Sequence, residues 1–141
     1  MTIQPQSLLL AGILLLALVT VESGGYFLTR VIGGKVSTNG LQKSFFRAGH
    51  AHAAVLLVLS VAILAIIDLS ALEGGWLWAG RSLVPIAAIL MPAGFFLSVI
   101  GREPQRPNRF IVLLWLGVAS LTVGLIIAGI GLIAGAISSI P

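Results

Sequence analysis

Apolar residues fill four stretches of roughly 20 residues, the length at which an α-helix crosses the hydrocarbon layer of a bilayer. They run at about 7–31, 45–67, 82–101 and 110–137. Between them lie Gly33-Gly34, Ser37-Thr38-Asn39-Gly40, Glu73-Gly74-Gly75 and Glu103-Pro104-Gln105-Arg106-Pro107-Asn108, all with turn chemistry. The pattern predicts an all-α membrane protein: a four-transmembrane-helix bundle, one membrane domain over 1–141, with a first hairpin at about 7–67 and a second at about 82–137. Asn108 is placed to cap the fourth helix and Pro85 to start the third. The first stretch runs past Val21 into Glu22 without a small-residue cleavage signature, so it is expected to stay in the mature protein.

Composition strengthens this reading. In 141 residues, 58% are hydrophobic and 9% charged, outside the range of soluble domains. A net charge of +4 on so apolar a chain suits loops facing anionic lipid and does not suggest a nucleic-acid partner. The absence of cysteine excludes disulfides, thiolate metal sites and cysteine nucleophiles. Gly33-Gly34-Lys35-Val36 is no phosphate loop, because Val36 stands where Ser or Thr is required.

The placement of charge predicts orientation. Arg30, Lys35, Lys43 and Arg47 flank the first connection, and Arg102, Arg106 and Arg109 flank the third against a single Glu103. The middle connection carries Asp68, Glu73 and Arg81. By the positive-inside rule the loops 33–44 and 102–109 are cytoplasmic and both termini lie outside the cell membrane. Trp76 and Trp78 then fall in an outer aromatic belt.

An internal repeat is also readable. Gly25-Tyr26-Phe27-Leu28-Thr29-Arg30-Val31-Ile32-Gly33 aligns with Gly94-Phe95-Phe96-Leu97-Ser98-Val99-Ile100-Gly101, with Arg30 the extra residue. Downstream, Gly49 aligns with Gly117, Ala51 with Ala119, Val55 with Val123 and Leu57 with Leu125. This predicts two parallel helical hairpins related by a pseudo-two-fold axis along the membrane normal. In that alignment Glu22 faces Met91, Arg47 faces Trp115, His50 faces Val118 and His52 faces Ser120, so the first hairpin holds most of the intramembrane polarity.

Glu22, Arg47, His50 and His52 form the candidate site for a ligand or coupled proton. Counted from the inner ends of the spans, Glu22 and the histidines share a layer about 7 to 10 Å inside the cytoplasmic edge. A carboxylate there needs a partner or a proton, and Arg47, one turn below His50, is the obvious partner. The plainer alternative is a structural Glu22–Arg47 ion pair with Tyr26 as an inner-belt aromatic. Two positions apart on a helix, His50 and His52 point about 200° apart and cannot grip one ion together.

Tyr26, Met91, Pro92 and Ser120 are candidate pathway-lining residues, Pro92 because it frees the carbonyl of Ala88. No cofactor is expected; a haem held by one histidine and Met91 is the alternative, and no metal is assignable. Ser120, Gly124, Ala128, Gly131 and Gly135 lay a small-residue stripe along the fourth helix, where another backbone can approach.

Three function classes fit. The first is a transporter or channel-like protein using the Glu/His/Arg site for a proton, ion or small polar solute. The second is an accessory or structural subunit of a larger membrane complex, or a homo-oligomer. The third is an intramembrane enzyme or redox protein, for which no nucleophile or cofactor motif is present. The chain resembles small multidrug-resistance transporters and rotor proteolipids in architecture alone. It is longer than the former, with a one-sided basic bias, and lacks the latter's carboxylate in the second helix of a hairpin.

Overall fold

A computed structural model describes residues 2–140. Four helices follow one another in antiparallel order: α1 (Pro5–Ile32), α2 (Gly40–Ile66), α3 (Gly74–Ser98) and α4 (Ile111–Ser138). A single 3-10 turn, Ile67–Leu69, extends α2. All four helices are long and apolar enough to cross a membrane, and no strand occurs among the described residues.

The helices are longer than the apolar windows at two places. α2 begins at Gly40 because Asn39 and Gln42 form a capping box: Gln42 N–H donates to Asn39 Oδ1 at 2.9 Å and Asn39 N–H donates to Gln42 Oε1 at 3.2 Å. α3 begins at Gly74, so Trp76, Trp78 and Arg81 are helical and Pro85 lies inside the helix instead of starting it. Charge bounds an apolar window; backbone hydrogen bonding bounds a helix, and the two differ by a turn or two.

Asn108 also has a different task. Its N–H donates to Ser98 O at 2.7 Å, its side-chain amide donates to Leu97 O at 3.0 Å, and its Oδ1 accepts from Phe110 N–H at 2.9 Å. It clasps the end of α3 to the approach of α4, whose own N-cap, Phe110, has no side-chain cap.

The most extensive packing joins α3 to α4 and depends on glycine. A Cβ on Gly94 would fall on the backbone of Leu114, and one on Gly117 would lie 2.5 Å from Met91 Cγ. Along the predicted stripe, Ser120 Oγ donates to Leu83 O at 2.7 Å, and a Cβ on Gly124 would lie 2.9 Å from Leu83 Cβ. Ala128 is buried with Ile63, Ile67 and Val84. Gly131 lies beneath the Leu72 side chain, and its carbonyl accepts from Ala71 N–H at 3.0 Å. Gly135 lies against the backbone of Leu69–Ala71. The stripe's partners are therefore α3 and the α2–α3 connection of the same chain.

The main apolar cluster joins Leu14 of α1 to Leu56, Leu57 and Leu64 of α2 and to Ala88 and Met91 of α3. α1 packs chiefly on α2 and leaves its far side, with Leu8, Leu16, Val19 and Tyr26, exposed. Phe46 of α2 lies between Phe27 of α1 and Phe96 of α3, with ring centroids at 5.4 and 5.7 Å.

The ends are chemically distinct. Gln42 Nε2 donates to Val99 O and Gly101 O, each at 3.1 Å, and Asn39 Nδ2 donates to Pro104 O at 2.6 Å. These bonds bring the two basic connections together. At the opposite end the start of α1, the turn at Ile67–Leu69 and the end of α4 meet.

Candidate functional site

Of the predicted site residues, His50 lies in the α1–α2 seam. Gly24 and Gly25 remove two side chains from α1, and the His50 ring fills the notch: a Cβ on Gly24 would lie 3.2 Å from Nδ1, and one on Gly25 would lie 3.6 Å from both Cε1 and Nε2. Among the described residues no hydrogen bond engages either ring nitrogen of His50. His50 is ten residues into α2 and Glu22 ten before the end of α1, so both lie about 15 Å from their helix ends. That is deeper than the apolar windows suggested, because both helices run beyond them.

His52 is occupied differently. Its Nδ1 is 2.8 Å from Ala48 O, a carbonyl that can only accept, so Nδ1 donates to it. Its ring packs against Phe95 of α3 at a centroid distance of 5.0 Å. One histidine thus faces α1 and the other α3, as their spacing requires.

Glu22 and Arg47 are both exposed, and no ion pair or hydrogen bond joins Glu22 to Arg47 or to a histidine among the described residues. The cause is antiparallel register. With Gly24–Gly25 level with His50, Glu22 is displaced about 4 Å along the seam in one direction and Arg47 about 4.5 Å in the other. Glu22 shares the outer face of α1 with Ser23 and with Tyr26, which is 68% exposed. The interior Glu22 cluster of the sequence reading is therefore not assembled within one chain.

The pathway candidates have other roles. Met91 and Pro92 are buried, Met91 in the apolar cluster and against Gly117, and the Ser120 hydroxyl bonds the Leu83 carbonyl. No group of three or more His, Asp or Glu side chains comes together among the described residues.

A second polar cluster, which the sequence reading passed over as loop chemistry, lies at the opposite end. Arg81 Nη2 meets Asp68 Oδ1 at 2.5 Å with the two side chains 3% and 2% exposed. Arg81 Nη2 also donates to Gln4 Oε1 at 2.7 Å, and Gln4 N–H donates to Asp68 Oδ2 at 2.7 Å. The Trp78 ring lies 5.6 Å from the guanidinium carbon. Ser7 is fully buried beside Asp68, and Arg81 Nε has no hydrogen-bond partner among the described residues. The available signal was two opposite charges facing each other across a short, turn-rich connection.

Comparison with protein-family models, curated proteins and solved structures found no match.

Proposed function

We propose that the chain is a small multi-pass protein of the cell membrane that handles a proton, ion or small polar solute at the α1–α2 seam. The observation that carries this reading is the His50 imidazole, held in a glycine notch at mid-helix with both ring nitrogens unbonded and with Glu22 and Arg47 a turn away on either side. An imidazole at that depth, without a hydrogen-bond partner among the described residues, is free to bond an ion or a small polar ligand. Four apolar helices and the gathering of seven of the eight Lys and Arg at one end support a membrane setting with that end in the cytoplasm and both termini outside. Phe27 and Phe96, equivalent in the proposed repeat, flank Phe46 and so support a duplicated hairpin; Gly49 and Gly117, also equivalent, contact α3 in different ways.

The test is flux in proteoliposomes, with a proton-sensitive dye and a panel of small ions and polar solutes. Wild type is expected to pass at least one of them, and Glu22→Gln and His50→Ala to abolish that flux while remaining folded. Identical behaviour of the three proteins towards every solute rejects the reading.

A second reading is a subunit of a larger membrane assembly or a homo-oligomer. It is favoured by the outer face of α1, where Glu22, Ser23 and Tyr26 are exposed and uncovered by any helix of this chain. A carboxylate facing lipid is costly, and a neighbouring protein would relieve that cost. Mild detergent extraction followed by native electrophoresis separates the two readings: a species no larger than one chain in its micelle rejects the assembly.

A further inference from the structure

The end of the molecule where the two basic connections meet holds a recess that the α1–α2 seam does not involve. Gln42 and Asn39 pull the α3–α4 connection over the first turn of α2, and between them lies a cavity of about 440 Å³ lined by Ser37, Gln42, Gly101, Arg102 and Glu103. That volume falls within the roughly 300–1,000 Å³ of small-ligand sites. The connection is bent to make it: Gly101 at φ 126° and Glu103 at φ 53° are both left-handed, on either side of Arg102. Next to Ser37, the Thr38 hydroxyl is buried without a partner.

Three features select an occupant. Seven of the eight Lys and Arg of the chain lie at this end, so the local field favours an anion. The recess is lined by both Arg102 and Glu103, a combination that suits a group carrying a phosphate and hydroxyl donors together. Ile100, adjacent to Gly101 in the chain, is 63% exposed, so apolar surface adjoins the recess.

We propose that this recess binds the head group of an anionic, hydroxylated glycerophospholipid of the phosphatidylglycerol class. Arg102 and Ser37 hold the phosphate, Glu103 accepts hydrogen bonds from the head-group hydroxyls, and the acyl chains run down past Ile100. The inference rests on the membrane reading above, but not on the seam being functional.

The experiment is lipid binding to the purified protein in detergent, followed by native mass spectrometry, with phosphatidylglycerol, phosphatidylcholine, phosphatidylethanolamine, glycerol 3-phosphate and inorganic phosphate as separate arms. Phosphatidylglycerol is expected to bind ahead of the other two lipids, and the two tail-less anions to compete only weakly. Arg102→Ala should weaken phosphatidylglycerol binding about tenfold, the effect of losing a charge-assisted hydrogen bond. Arg106→Ala, which removes the same charge from the same connection outside the recess, should change it by less than about twofold. Equal losses in the two variants, equal binding of phosphatidylethanolamine, or full competition by free phosphate would each overturn the site. Recovery of the expressed protein in the soluble fraction would instead overturn the membrane reading.

Discussion

Arg81 and Asp68 form a buried ion pair at the end of the molecule from which the other basic residues are absent. The pair holds the start of α1 through Gln4, so it ties that start to the end of α2 and to α3. Removing one member leaves the other charge buried without its counter-ion and held by Gln4 alone, at a cost of about 3–5 kcal/mol. Arg81→Ala and Asp68→Asn are each expected to lower the thermal midpoint in detergent markedly. The double replacement should cost less than the sum of the two. Full additivity would show that the pair does not act as a unit.

Glycine at the α3–α4 contact is required for space. Gly94→Leu and Gly117→Leu should each destabilise by at least about 1–3 kcal/mol, since the new side chain meets Leu114 or Met91. Gly129→Leu, on the same α4 but facing open space, should leave the midpoint within about 0.5 kcal/mol of wild type. Thermal unfolding of the three variants in parallel checks the contrast.

Gly24→Val is expected to push the His50 ring out of its notch, because the Cβ alone would lie 3.2 Å from Nδ1. In a His52→Gln background the single remaining imidazole can be followed by heteronuclear NMR. Its signals should shift on Gly24→Val and stay put on Gly12→Val, where the added carbon meets nothing.

The chain lacks cysteine, so single cysteines report topology directly. A cysteine at position 39 is expected to react with a membrane-impermeant maleimide only after the cells are opened, and one at position 74 in intact cells. The reverse pattern would invert the orientation.

Helix number and order were legible in the sequence, because four apolar runs separated by charges and turn residues admit few other arrangements. Two helix starts differ from the apolar windows for one reason: Lys43 and Arg81 bound those windows, yet their backbones are helical. The small-residue stripe was legible as a contact, but its partner was not, since spacing names a face and not its neighbour. His50 and His52 were correctly separated by helix angle. The separation of Glu22 from Arg47 was not legible, because it depends on the register of α1 against α2, in which the His50 ring lies against Gly24–Gly25. Nor was the Asp68–Arg81–Gln4 cluster, whose members lie 64 and 77 positions from Gln4 along the chain.

The tie from Gln4 to Asp68 and Arg81 also sets an order of events as the chain is made. α1 leaves the ribosome first, yet the groups that anchor its beginning belong to the end of α2 and to α3 and do not exist until more than half of the sequence has been translated. Until then α1 has only the growing α2 to lean on, and its beginning stays unfastened while α2 and the start of α3 are made. A ribosome stalled before Arg81 should therefore display the start of α1 open to protease, and a chain that includes all of α3 should not.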